Sequence, residues 1–456
     1  MTAETVESAE AAARPRTFFG EPRALAFLSF TEAWERFSYY GMTAILVLYM
    51  SQQLLLPGHV EHIAGFPGFR AAIESVFGPK TTIGLAAQIM GLYTGFIYFT
   101  PVLGGWIADR WLGRRLAVVI GAILMSAGHL AMAFDQSFLL ALALLITGCG
   151  LLKGNISTQV GELYAENDGE GRTRAFAIFS IGINVGAVVG PLTCGLLAQL
   201  YGWHAGFGLA GVLMLIGLAT YVAGLRYLPD DRNRRAAKDQ PKDPLTAADW
   251  RIVLGIALVS FITIFQSIAY YQNTTIGLVW IDQKVDLDLL GFHFPAAWFN
   301  SIDPLASIVA VPPLFALWKW QAKRGREPGD LGKIAVGAWM AAAANLLLVA
   351  ACLASDRVSA IAPVIYDIIL GVAFLYYWPT LLALVSRAAP PQIKATLMGA
   401  IFLTLFVSNL TLGWLGQFYE QMTPAAFWAM HALIAATGGA LAILLRRPLK
   451  HLLGIE

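Results

Sequence analysis

The chain has 456 residues, 57% of them hydrophobic and only 13% charged, with a formal net charge of +2. Its mean hydropathy is +0.63. Soluble domains carry about 25% charged residues, so these figures exclude an ordinary soluble domain.

Apolar runs of about twenty residues recur from end to end, each long enough to cross a hydrocarbon core of ~30 Å. The ten-residue alternating segments of a membrane β-barrel do not occur. The expected fold is all-α and integral to the membrane, with both termini cytoplasmic. Residues 1–21 are polar and acidic, with no apolar stretch before a cleavage site, so no signal peptide is expected. Twelve spans follow, at 22–51, 81–108, 114–134, 138–163, 173–200, 205–228, 249–279, 295–320, 332–354, 359–386, 393–419 and 423–446. Of the 31 Lys and Arg, only Arg70, Lys80, Lys284 and Arg357 fall in segments assigned to the outside, and Arg36 and Lys153 lie within spans. That asymmetry sets the orientation. Cys149, Cys194 and Cys352 sit in apolar helices without disulfide or metal-ligand spacing, and read as small packing residues.

The first span contains EAWERFSYYG, residues 32–41. At 100° per residue, Glu32, Glu35, Arg36, Tyr39, Tyr40 and Thr43 share an arc of roughly 140°. A charge in mid-membrane costs ~2.5–3.5 kcal/mol even on the lenient insertion scale, so this face must line a wet cavity or pair internally. Arg36 neutralises one glutamate and leaves the other able to bind and release a proton. Segment 52–80 reads as an outer loop with a short amphipathic piece. GGWIADRWLGRR, 104–115, joins spans two and three and resembles the cytoplasmic-loop signature of the major facilitator superfamily. Asp109, Arg114 and Arg115 are then gate charges that pair in one conformation and separate in another. Lys153 in span four demands a partner or a cavity. His129 in span three reads as a packed, hydrogen-bonded residue.

The polar, Pro-rich stretch 229–248 divides the spans six and six, with bundles at 22–228 and 249–446 and a tail at 447–456. This is the major-facilitator arrangement, in which substrate sites lie near the membrane midplane between the halves.

EAWERFSYYG is similar to the ExxERFxYYG motif of the proton-dependent oligopeptide transporter family. IYFTPVLGGWIADRWLG (97–113), TGCGLLKGNISTQVGELY (147–164), RAFAIFSIGINVGAVVGP (174–191), WFNSIDPLASIVAVPPLFALW (298–318) and RGREPGDLGKIAVG (324–337) resemble other segments of that family. The resemblance implies a proton-coupled symporter that imports di- and tripeptides by alternating access, not an enzyme. It would have no cofactor or metal beyond the coupling proton, no nucleic-acid partner, and a monomeric state in a bacterial inner membrane among its lipids. It implies Glu32 and Glu35 as proton-linked acids, Arg36 as their modulator and carboxylate partner, Tyr40 and Tyr98 as peptide-site walls, Lys153 as a second carboxylate partner, and Asn184 as a contact to the peptide backbone.

The second half departs from the family. Phe374 stands where span ten usually carries a glutamate, five residues before a Ser-Pro that here reads Trp378-Pro379. Asp303 stands where span eight usually has asparagine. The expectation is that Asp303 takes over as amine partner and joins the proton-coupling set, with Lys153 as counterion; the alternative is that it only caps the break at Pro304. Thr43, Gly91, Tyr271 and Ile401 replace a second arginine, a gate histidine, a helix-seven aspartate and a pocket tryptophan. Gln272 and Asn273 are expected to face the cavity. The second functional reading is a carrier of the same fold for another zwitterion, a drug or an anion. A membrane enzyme has no nucleophile–base pair, metal cluster or P-loop to support it.

Overall fold

The computed structural model describes residues 16–165, 168–229, 244–289 and 291–454. Most of the linker expected at 229–248 lies outside the described residues. Twelve long helices run through the chain: α1 (Arg23–Tyr49), α2 (Thr82–Ile107), α3 (Arg114–Ala131), α4 (Phe138–Gly161), α5 (Gly169–Tyr201), α6 (Trp203–Gly224), α7 (Ala247–Tyr271), α8 (Ile302–Ala322), α9 (Asp330–Ala354), α10 (Ile361–Ala388), α11 (Phe402–Leu415) and α12 (Pro424–Leu444). Eleven segments are long and apolar enough to cross a membrane by length and composition alone. The twelfth is α1, 27 residues long, which carries Glu32, Glu35 and Arg36 in mid-helix. Prolines interrupt α2, α5, α8 and α10 at Pro101, Pro191, Pro312–Pro313 and Pro379. Helices in a membrane tolerate such breaks when neighbours satisfy the freed carbonyls.

Three local features differ from expectation. Residues 16–22 form a small hairpin instead of a plain tail, tied down where Tyr164 and Arg174 donate to the buried Glu21 carboxylate at 2.9 and 2.8 Å. The outer segment contains a twelve-residue helix, Phe66–Phe77. The seventh span is not one continuous helix: α7 stops at Tyr271, passes through a tight turn at Gln272–Thr274, and resumes at Ile276–Lys284.

The chain divides into two compact units. The first takes the chain up to Ile45, then Pro57–Phe66, then Phe99 into the linker. The second takes Leu46–Leu56, Pro67–Tyr98 and everything after the linker.

In the first unit, α1 is clamped by α5 and α6. Gly182, Gly186 and Gly190 recur every four residues on α5. A methyl at any of them would sit 2.6–2.8 Å from the backbone of α1, at Ser29 O, Phe37 N and Phe37 O. This small-residue spacing lets membrane helices approach where no hydrophobic force drives them together. Ser38 adds a hydroxyl bond of 2.8 Å to the Ala210 carbonyl of α6. Cys194 fills the space beside Gly41, and all three cysteines are free.

In the second unit, the stretch of α2 before Tyr98 lies against α11. Gly91 meets the Asn409 carbonyl and Gly413, which is 2.9 Å from where a Gly91 Cβ would stand. Thr94 donates to Asn409 Oδ1 at 2.8 Å. Lys80, only 6% exposed, donates to Gln417 at 2.6 Å, and burial pulls its pKa below the usual lysine value. This end is on the face poor in Lys and Arg. Gly91→Leu should prevent this close packing, because overfilling such a contact costs about 1–3 kcal/mol. That corresponds to a ~5- to 150-fold drop in the packed population. Cysteine pairs introduced at positions 80 and 417 report it: crosslinking should fall in the Gly91→Leu background.

Candidate functional site

The charged face of α1 is buried in the first unit. Glu32, Glu35 and Arg36 are 3%, 0% and 3% exposed. Arg36 Nε lies 2.9 Å from Glu32 Oε1 and 2.5 Å from Glu35 Oε2. These are close ionic contacts without hydrogen-bond alignment, and Arg36 Nη2 makes no hydrogen bond within the protein. The guanidinium is therefore tethered electrostatically, with donor capacity to spare. Tyr40 lies within hydrogen-bond reach of Arg36. Its ring meets that of Tyr39 edge-on at 5.1 Å. Lys153 of α4 interacts electrostatically with Arg36, Glu35 and Glu32, and its Nζ stands 5.9 Å from the Tyr39 ring centre. Two acids and two bases make a formally balanced group inside the membrane.

Asn184, expected to meet the peptide backbone, is half-buried. It sits on α5 about 160° around the helix from Gly186 at 100° per residue, and Gly186 faces Arg36. His129 is fully buried against Gly211 of α6, but neither ring nitrogen has a hydrogen-bond partner. The expected hydrogen-bonded histidine is thus corrected to a packed one. Gly128 lets Leu145 of α4 close on α3, and Gly211 lets α6 close on Leu130 and His129 Cβ.

The gate charges are partnered. Asp109 lies in a wide turn, Ala108–Leu112, that ends α2 before Gly113 at φ 78°. Arg114 reaches Asp109 at 3.2 Å and forms a second ion pair with Glu162 at the end of α4. Arg115 donates to the Leu228 carbonyl. A Cβ at Gly104 would overlap the Gly150 carbonyl, so α2 and α4 touch backbone to backbone just before this turn. Glu162 was missed from the sequence, although it stands within the TQVGELY stretch already compared.

The second unit holds the other group. Asp303 opens α8 and is 7% exposed. Its carboxylate does not cap its own helix, which has no side-chain cap bond. Instead the Tyr270 hydroxyl donates to Asp303 Oδ2 at 2.5 Å, so capping does not account for this acid. Gln272 and Asn273 are buried and occupy the break in α7. The Asn273 side chain lies within hydrogen-bond reach of both Asp303 and Asp367. Tyr98 meets Tyr271, with hydroxyls 3.5 Å apart. Tyr271 meets Tyr270 edge-on at 4.9 Å, and Tyr270 stacks on Phe374 at 5.4 Å. The two positions without the family's acids, 271 and 374, are therefore parts of one aromatic row that presents Tyr270 to Asp303. Ile401 is packed in an apolar core with Tyr377 and Leu381. Tyr270 is the neighbour that the sequence reading left out, with the YYQN run at the helix break as the available signal; Asp367, a weaker candidate from the sequence that read as a gate or packing residue, is buried and interacts electrostatically with Asp303. Among the described residues, no group of three or more His, Cys, Asp or Glu is placed to hold a metal ion.

Comparison with known proteins agrees with this architecture. The Major Facilitator Superfamily model matches residues 25–412. An uncharacterized transporter, YclF, of Bacillus subtilis (strain 168) is 30% identical, over 95% of each chain. A di-/tripeptide transporter of Lactococcus lactis subsp. cremoris is 29% identical, over 96% of this chain and 98% of the relative. The crystal structure of the peptide transporter POT in complex with sulfate superposes with a TM-score of 0.84 at 28% identity, covering 98% of this chain and 99% of that one. With the twelve-helix fold and the buried ExxER group, these matches make the chain a multi-pass membrane transporter that belongs to the major facilitator superfamily and, within it, to the proton-dependent oligopeptide transporter family.

Proposed function

We propose that the protein is a proton-coupled symporter that imports di- and tripeptides by alternating access. The observation that carries this reading is the balanced group Glu32, Glu35, Arg36 and Lys153. A peptide's C-terminal carboxylate that enters it adds one negative charge to a site that cannot bear one in low dielectric. A proton on Glu32 or Glu35 restores the balance. Carboxylate and proton thus enter together, which is symport derived from charge conservation at one site. Arg36 Nη2, without a hydrogen bond in the protein, and the Lys153 ammonium supply the carboxylate's donors. Tyr40 and Tyr98 provide ring walls and hydroxyls. Asp303, Gln272 and Asn273 supply acceptors for the peptide's amino end. Asp109, Arg114 and Glu162 form the inner gate, and the Gly91–Asn409 contact forms the outer one.

The low-lysine face is outside and both termini are cytoplasmic, in a bacterial inner membrane. The coupling ion is the only cofactor, and the monomer is the working unit. The relatives named above are bacterial, which supports that location.

Uptake of labelled dialanine into proteoliposomes, inside negative and outside acidic, tests the proposal. Accumulation that collapses with a protonophore is the expected result. A preparation that binds a ligand but never accumulates dialanine would overturn it. The aromatic row through Tyr271, Tyr270 and Phe374 favours one second reading, a carrier of another zwitterion with an apolar body. In that case dialanine fails while a larger aromatic zwitterion is accumulated.

A further inference from the structure

The hairpin before α1 is held on one side and open on the other. Its buried acid, Glu21, accepts from Tyr164 and Arg174. The loop between its strands is the two-residue turn Phe19–Gly20. Turns of this length favour positive φ, where Gly, Asn or Asp fit and a bulky side chain does not. Gly20 is at φ 80° and Phe19 at φ 50°, and among the described residues Phe19 is the one non-glycine on that side. Its side chain is 83% exposed, so burial within the protein does not account for a large ring at this strained position.

Phe19 belongs to a row. Its ring meets Phe18 edge-on at 4.9 Å, and Phe18 lies 6.2 Å from Phe30. Phe30 is 51% exposed on α1, a spanning helix whose exposed apolar residues meet lipid. Arg23, the first residue of α1, is exposed as well. It lies seven residues before Phe30, about 20° from it around the helix and about 10 Å from it along the axis. One face of α1 thus carries an arginine at headgroup depth and a phenylalanine in the hydrocarbon, with the turn's rings beside them.

A second basic group stands close by. Phe27, one turn on from Arg23, stacks on Tyr227 at 5.4 Å, and the exposed Arg226 guanidinium is 4.8 Å from the Tyr227 ring centre. Among the described residues, no acid pairs with Arg226, and Glu21 of the hairpin is already paired with Arg174.

We propose that the Phe18–Phe19 tip, Arg23 and Arg226 form a binding site for an anionic phospholipid of the cytoplasmic leaflet. The rings enter among the first acyl carbons, and the two guanidiniums take the headgroup phosphate. Their planar forks meet phosphate oxygens in pairs. A zwitterionic lipid carries an ammonium that two arginines repel, whereas an anionic lipid leaves its charge to them. Glu21 sits on the same hairpin and is bonded to Tyr164, just past α4, and to Arg174 of α5, so the bound lipid is tied to the inner ends of those helices.

The site rests on the membrane placement of α1 and not on the peptide reading, and its tests involve no transport. The first measures the depth of the tip. Full-length Phe19→Cys protein, in a Cys352→Ala background because the other two cysteines are buried, is spin-labelled at position 19 in nanodiscs of phosphatidylcholine and phosphatidylglycerol. The nitroxide should be relaxed by oxygen and shielded from an aqueous nickel chelate. A label at Glu170, whose side chain is 96% exposed, is the aqueous reference. Equal access of the chelate to both labels overturns the proposal. Nanodiscs present both faces, so the result does not depend on orientation.

The second test counts bound lipid by native mass spectrometry on protein released from the same nanodiscs. Phosphatidylglycerol should be retained in preference to phosphatidylcholine. The Arg23→Gln/Arg226→Gln variant should lose phosphatidylglycerol affinity about 30-fold, about fivefold for each arginine. Arg23→Lys/Arg226→Lys keeps the charge and should keep most of the preference, which separates lost charge from misfolding. Equal retention of the two lipids by the wild type, or a preference that survives in the glutamine variant, overturns the headgroup site even if the tip is shielded.

Discussion

Arg36→Gln is expected to abolish proton-driven uptake and to destabilise the first unit by about 3–5 kcal/mol, the usual penalty for removing one partner from a buried ion pair. The physical case is local. Arg36 lies between two buried carboxylates, at 2.9 and 2.5 Å, and no other arginine contacts either of them among the described residues. Removing it leaves Glu32 and Glu35 as adjacent like charges, with only Lys153 to offset them. Thermal unfolding in detergent checks this. The variant should recover stability as the pH falls, because protonating one glutamate removes the repulsion, while the wild type should show no such recovery. Arg36→Lys keeps the charge but not the planar fork, so it should recover more of the stability than of the uptake. A variant as stable as wild type at every pH would mean that the carboxylates do not depend on the guanidinium.

Glu32→Gln and Glu35→Gln separate coupling from translocation. One elementary charge moved through 100 mV is worth ~2.3 kcal/mol, which sustains a ~50-fold concentration gradient. The coupled acid, once replaced by its amide, should lose this accumulation entirely. Exchange of labelled for unlabelled dialanine across the same membrane needs no net proton movement and should continue. If only one variant loses accumulation, that acid carries the coupled proton. If both keep it, neither glutamate alone carries the coupled proton.

Much of the fold was legible because the membrane imposes one rule on every span. About twenty apolar residues with internal backbone bonding give a helix each time, and the charge asymmetry orients it. The break in α7 was harder to see. Residues 249–279 read as one apolar stretch, and no proline or glycine marks Gln272–Thr274. The α1 part of the first site was legible because periodicity alone brings Glu32, Glu35 and Arg36 onto one helix face, whereas Lys153 of α4 stood out only as a lone cation in an apolar span. The second was only half legible. Asp303 stood out as an acid in an apolar run, but its partners Tyr270 and Asp367 come from α7 and α10, and one sequence carries no sign of which faces meet.

The contact between α2 and α11 has a bearing on where this protein can work. Gly91, Gly413, Thr94 and Asn409 carry no charge, and their hold comes from backbone contact and one neutral hydrogen bond. Dissolved ions screen charge–charge attractions beyond ~10 Å at 0.1 M, but they leave contacts of this sort untouched. A latch built from charged pairs would loosen in brine and tighten in fresh water. This contact holds equally in both, so α2 and α11 keep their packing in a cell that meets changing salinity.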